Sequence, residues 1–149
     1  MGVEMAFVQK GLPLVGTILV VSPFTAIKEV AMGLEQDLLE MEQGFWLSGT
    51  EHFSAHLDDR CILAFPQSGE MHGVKTRDEV AATATQTNRW SDLNMSDRSL
   101  LQATEQVALI SYRADVTRAD GQPYAALVSS LYVRRGNGWK LAFHQHSPL

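Results

Sequence analysis

The sequence predicts an α+β domain, with helices first and an antiparallel sheet after them. Three observations carry this. Leu34, Leu38, Met41 and Phe45 step by four, three and four, the spacing of one helix face. Ser48 with Glu51 and Thr76 with Glu79 have capping-box spacing, in which a hydroxyl and a carboxylate satisfy the free N–H groups of a helix start. The last third holds three long β-rich segments, separated by turn signals at Asp120-Gly121 and Gly136-Asn137-Gly138. Helices followed by a run of strands is the α+β pattern, with helices on one face of the sheet.

Each element follows in order. The first helix runs from Leu34 through Phe45, with Glu35, Asp37, Glu40 and Glu42 mostly off its apolar face. A short second helix is expected at Glu51 to Leu57, ending beside Asp58 and Asp59. Cys61 to Phe65 and Met71 to Val74 flank Pro66 and the Gln67-Ser68-Gly69 turn, which reads as a small hairpin. A third helix opens at Thr76 and continues to about Thr87. A strand between Asp92 and Ala103 precedes the meander of Val107 to Thr117, Tyr124 to Arg135 and Trp139 to Ser147.

Composition limits what these elements build. The 149 residues are enough for one ordinary domain, and 45% hydrophobic with 19% charged residues describes a globular chain. The net charge of -5, with no Lys/Arg cluster, lacks the footprint that phosphate backbones require, so nucleic acid is not expected as a partner. The single cysteine, Cys61, provides neither an intrachain disulfide nor a thiolate zinc site. Residues 1–33 are read as an extension of a domain at 34–149, or as sequence ahead of a later start at Met32. Gly11 to Ile27 is uncharged, but Pro13, Gly16, Ser22 and Pro23 leave a run too short to span a membrane. A signal segment is the alternative, with Glu4 in the expected basic region and no clean cleavage site against it. A cytoplasmic location follows from the first reading, a secreted or periplasmic one from the second.

Strand parity sorts the sheet into two faces. If Asp120-Gly121 and Gly136-Asn137 or Asn137-Gly138 each close a two-residue hairpin loop, Ala108, Ile110, Tyr112, Ala114, Leu127, Ser129, Leu131, His144 and His146 share one face. The row of Tyr112, Ser129, His144 and His146 on an apolar face marks a pocket, because buried polar groups must find partners in one another, in water or in a ligand. The opposite face, with Arg113, Val128, Tyr132, Leu141 and Phe143, is too apolar for free exposure and suits a homodimer interface. A β-bulge would exchange these assignments beyond it.

The sequence resembles the nuclear-transport-factor-2-like superfamily, in its SnoaL-like, domain-of-unknown-function branch, from about Leu34 to Leu149. Phe45-Trp46, Leu57-Asp58-Asp59 to Ala64-Phe65-Pro66, Gly73, Arg77-Asp78-Glu79 and Trp90 carry the likeness. Ser111-Tyr112-Arg113, Ala126 to Arg135, Gly138-Trp139 and the closing His144 to Leu149 continue it. The resemblance implies a cone-shaped half-barrel, about three helices on a curved antiparallel sheet, with a pocket between them and a dimer through the sheet. Members include cofactor-free isomerases, cyclases and dehydratases as well as binding and assembly domains, so fold alone leaves function open. The closing segment departs from the branch at His146 and Ser147, where glutamine and threonine are usual.

The candidate chemistry centres on His144 and Tyr112. Histidine titrates near neutral pH and a tyrosine hydroxyl can donate to a developing oxyanion, which suits enolisation or dehydration. Asp58 or Asp59 offers a carboxylate base, and Trp46 and Trp90 offer walls for a small apolar or flat polar ligand, although core packing explains the tryptophans equally. His144-x-His146 and the His52, His56 pair lack a third ligand, and Gly136-Asn137-Gly138 opens no helix, so neither a metal nor a nucleotide cofactor is expected. Three readings result: a small-molecule-binding homodimer first, a cofactor-independent lyase or isomerase second, an assembly module third.

Overall fold

Helix α1 (Pro23–Leu47) opens with a proline, which suits a first turn whose N–H has no helical partner. The computed structural model describes residues 23–66, 70–86, 88–136 and 138–149, with residues 24–31 as backbone only. The apolar run before Pro23, the Gln67-Ser68-Gly69 turn, Thr87 and Asn137 lie outside the described residues. Two compact units are distinguished, Met1–Leu34 and Glu35–Leu149. In the first, residues 23–34 are helical. The second contains the rest of α1, two further helices and the sheet.

In that second unit the buried stripe of α1 is Leu38, Leu39, Glu42, Phe45 and Trp46. Met41, expected on the stripe, is half-buried, and Glu42, expected off it, is fully buried. Helix α2 (Thr50–His56) has Gly49 at its N-cap with no side-chain cap, so the Ser48–Glu51 capping box does not form. The α1–α2 corner instead depends on close approach at Gly44. The His52 ring occupies the space a Cβ at Gly44 would fill, and His52 Nε2 sits 2.9 Å from the Met41 carbonyl.

Strand β1 (Leu57–Ala64) starts where α2 stops, which places Asp58 and Asp59 on a strand rather than at a helix end. It pairs antiparallel with β2 (His72–Thr76), the expected hairpin. The Thr76–Glu79 capping box does form, with bonds of 2.8 and 3.3 Å, and opens α3 (Arg77–Ala81), which is shorter than expected. Strands β3 (Trp90–Thr104), β4 (Val107–Arg118), β5 (Pro123–Arg135) and β6 (Gly138–Pro148) complete a sheet ordered β2-β1-β6-β5-β4-β3. Its β1–β6 pair is parallel, where a wholly antiparallel sheet was expected; the long connection through α3 and β3–β5 permits that orientation. Asp92 and Asp97, both at φ 51, sit at two register shifts that bend β3, a conformation aspartate tolerates better than most residues. No helix among the described residues is long and apolar enough to cross a membrane.

Two irregularities decide which side chains share a face. Arg118 N–H donates to the Gln122 carbonyl at 2.8 Å, leaving a three-residue loop with Gly121 at φ 84, not the two-residue loop that parity assumed. One extra loop residue turns β5 over, so Tyr112 pairs with Val128 and Ile110 with Ser130. Ser129 is therefore exposed on the outer face, whereas Val128 and Tyr132, assigned to the interface, are fully buried under the helices. The second irregularity is a bulge in β6 at Ala142: Tyr132 pairs with Leu141, but Leu131 with Phe143 and Ser130 with His144. Leu141 is thereby buried as well, while Phe143 and Arg113 remain on the outer face. The two inversions cancel between β4 and β6, so Tyr112, His144 and His146 do share the inner face.

Candidate functional site

The inner face carries an unusually polar core. Trp46 on α1 donates its indole N–H to the Tyr112 hydroxyl at 2.8 Å, and Tyr112 donates to Glu42 Oε2 at 2.7 Å. Tyr132 donates to Glu42 Oε1, also at 2.7 Å. Indole can only donate, so the single Tyr112 proton must point to Glu42. His144 Nδ1 is 2.7 Å from Ser130 Oγ and 3.6 Å from Glu42 Oε2. Its Nε2 meets His146 Nε2 at 2.9 Å, and His146 Nδ1 meets the Tyr124 hydroxyl at 3.1 Å. Among the described residues no buried side-chain nitrogen or oxygen is left without a partner.

Burial governs the charges. It raises the Glu42 carboxyl above its usual range, against the hydrogen bonds from Tyr112 and Tyr132 that favour the ionised form. It pushes His144 down to about 4, and burial with His144 alongside takes His146 down to about 3. Both imidazoles are therefore neutral near pH 7. Tyr112 and Tyr132 are held well above the ordinary tyrosine range by burial and the Glu42 charge, so they act as donors.

A cavity of about 350 Å³ opens beside this network. Phe45, Trp46, Phe53, Leu57, Leu63, Phe65, Trp90 and Leu141 wall it, Tyr124, His144 and His146 present polar atoms, and Glu70, Arg89 and Arg118 add charge. Trp46 stacks on His146 at 4.9 Å between ring centres with 15° between planes, and meets Trp90 edge-on at 5.0 Å. Arg89 donates to the Phe45 and Ser48 carbonyls, tying β3's start to the end of α1.

Of the residues singled out from the sequence, Trp46, Trp90, His144 and His146 line the cavity. Tyr112 lies behind it, fully buried, and reaches His144 only through Glu42. Ser129 faces away, and its neighbour Ser130 holds the position expected of it. Asp58 is not in the cavity wall. Arg135 grips both its oxygens, at 3.1 and 2.9 Å, and holds its carboxyl below the usual range. Sequence reading missed Glu42, Ser130 and Tyr124. The available signal for Glu42 was its place four residues after Leu38 and four before Trp46, where a charge interrupts a buried stripe.

Solved structures share this arrangement of helices and sheet. An NTF2-like protein of unknown function in nutrient uptake from Rhodospirillum rubrum matches with a TM-score of 0.58 at 21% identity, covering 79% of this chain and 98% of that one. The chain has the nuclear-transport-factor-2-like fold. The NTF2-like fold also relates it to a candidate ketosteroid isomerase from Parabacteroides distasonis, with a TM-score of 0.58, 15% identity and coverage of 75% and 85%. The association domain of C. elegans CaMKII matches with a TM-score of 0.58 at 11% identity, covering 80% and 98%. No family model and no curated protein sequence matches the chain. Neighbours with the NTF2-like fold thus span a candidate enzyme and an association domain, and the site itself must carry the functional argument.

Proposed function

We propose that this chain is a small-molecule-binding domain whose cavity takes a small apolar or flat polar ligand, and that it works as a homodimer. The cavity carries the reading: about 350 Å³, walled by aromatic and aliphatic side chains, with a few hydrogen-bonding atoms gathered on one side, is the usual make-up of a ligand site. An open cavity of this kind favours binding over a purely structural assembly role. Titration with 1-anilinonaphthalene-8-sulfonate tests it. Saturable fluorescence enhancement that Trp90→Ala weakens about tenfold or more fits the loss of an aromatic wall; absence of saturable binding to the folded protein overturns it.

The outer face supports self-association. Leu101, Leu109, Leu131, Phe143, Ile62 and Val74 stand in register across β3, β4, β5, β6, β1 and β2, one per strand. Leu101, Leu109, Ile62 and Val74 are exposed, and a continuous apolar row of this length is a candidate contact for a second copy.

A cofactor-independent lyase or isomerase is the second reading. His144 on the cavity wall, neutral and oriented by Ser130, favours it. Tyr112 then serves as a positioning residue behind Glu42, and Asp58, engaged by Arg135, takes no part.

A further inference from the structure

One unbroken chain of hydrogen bonds runs inward from the cavity wall. The Tyr124 hydroxyl meets His146 Nδ1 at 3.1 Å, His146 Nε2 meets His144 Nε2 at 2.9 Å, and His144 Nδ1 meets Ser130 Oγ at 2.7 Å. Every member can donate or accept, since a neutral imidazole carries its hydrogen on either nitrogen and a hydroxyl turns. Two imidazole nitrogens 2.9 Å apart share a single hydrogen, so the choice at that link sets the others. If His146 supplies it, His146 Nδ1 is bare and takes the Tyr124 hydrogen, which leaves the Tyr124 oxygen as an acceptor. If His144 supplies it, His146 Nδ1–H donates to the Tyr124 oxygen, and the Tyr124 hydrogen is released to the cavity. Each group keeps one hydrogen in both directions, and the same three bonds are made. The inner end is pulled both ways. Glu42 Oε2, 3.6 Å from His144 Nδ1, attracts a hydrogen there, whereas a bare Nδ1 gives the buried Ser130 hydroxyl hydrogen an acceptor.

We propose that the cavity takes an uncharged planar ring system bearing one polar atom, donor or acceptor, and that the chain from Tyr124 through His146 and His144 to Ser130 reverses its direction to match that atom. This rests on the reading of the cavity as a ligand site. Trp46, Trp90 and Phe65 give a flat molecule its walls. Glu70 lines the cavity together with Arg89 and Arg118, so a ligand of either sign meets a like charge, which favours one with none. A site whose polar contact points one way rejects a mismatched analogue by roughly 10⁴ or more, because a buried polar group is left unpaired. A reversible chain removes that penalty, since Tyr124 offers a lone pair to a donor and a hydrogen to an acceptor. The imidazole hydrogens move by exchange with water, with no net proton gained or lost. Selectivity then lies in the shape of the ring system, and a carbonyl compound and a donor of the same outline bind alike.

Three probes of one bicyclic outline test this: indole, which only donates, 1-indanone, which only accepts, and indene, which does neither. Nitrogen-15 NMR of the full chain near pH 7 reads the ring hydrogens in each complex. With indole, hydrogens are expected on Nδ1 of His144 and Nε2 of His146; with 1-indanone, on Nε2 of His144 and Nδ1 of His146. The same tautomers in both complexes would overturn the proposal. The two dissociation constants are expected to agree within about tenfold, and a ratio of about a hundredfold or more would show a fixed direction. Tyr124→Phe, checked for folding by circular dichroism, is expected to weaken indole and 1-indanone about tenfold and to leave indene unchanged. Unchanged binding of all three to the folded variant would remove Tyr124 as the contact and the chain with it. If no bicycle binds while anilinonaphthalene sulfonate still saturates, the ligand class is wrong and the cavity reading survives; if that dye fails as well, both fall.

Discussion

The Tyr132 hydroxyl on β5 donates to Glu42 Oε1 on α1 across 2.7 Å, joining sheet to helix through a carboxylate with no solvent exposure. A carboxylate so placed is tolerable only while its donors are present. Tyr132→Phe removes one of them and little volume, so it is expected to cost about 1–3 kcal/mol, the penalty of an unsatisfied buried acceptor. The urea midpoint measures this, and an unchanged midpoint would show that Glu42 does not depend on that bond.

The buried histidines and the buried glutamate respond to mild acidification in opposite senses. The folded protein holds His144 at about 4 and His146 at about 3, against an ordinary 6.5 when unfolded. Between those values the unfolded chain binds more protons, so the histidine contribution is complete above about pH 6.5 and declines as pH falls through the window. Glu42 works in the opposite sense: its raised carboxyl binds a proton more tightly when folded, so its burial penalty eases on acidification. Between about pH 7 and about pH 4 the change in melting temperature is expected to be less destabilising in His146→Gln than in the unsubstituted protein, and more destabilising in Glu42→Gln.

Leu109 is the second residue of the outer apolar row, paired with Leu101 on one side and Leu131 on the other. Leu109→Glu puts a charge into that row and is expected to convert a dimer to monomer in size-exclusion chromatography with light scattering, with the fold intact. A wild-type chain that is already monomeric at high concentration would remove the outer face as a dimer contact.

Asp58 separates a structural carboxylate from a functional one. Its partner Arg135 is largely exposed, so Asp58→Asn is expected to cost no more than about 1 kcal/mol. Binding of 1-anilinonaphthalene-8-sulfonate in the cavity should not change. A lost anilinonaphthalene sulfonate signal in a stable Asp58→Asn protein would return this residue to the site.

Much of the fold is legible in local pattern. Amphipathic spacing locates α1, the Thr76–Glu79 box starts α3, and turn residues separate β4, β5 and β6, because these features depend on neighbours within a few residues. Capping-box spacing misleads at Ser48, where Gly49 takes the N-cap and the tight corner at Gly44 determines the entry of α2. The face of β5 was not legible either. Asp120-Gly121 is compatible with a two- or a three-residue loop, and one residue decides whether Ser129 or Ser130, and with it Tyr132, turns inward.

The sequence by itself determined the order of helices and strands, because these depend on local pattern. Tertiary structure alone decided the polar half of the site. Glu42 reads as one more surface acid in an acidic helix until Tyr112 and Tyr132 arrive from strands far along the chain, and only donors brought together by the sheet can stabilise a carboxylate there.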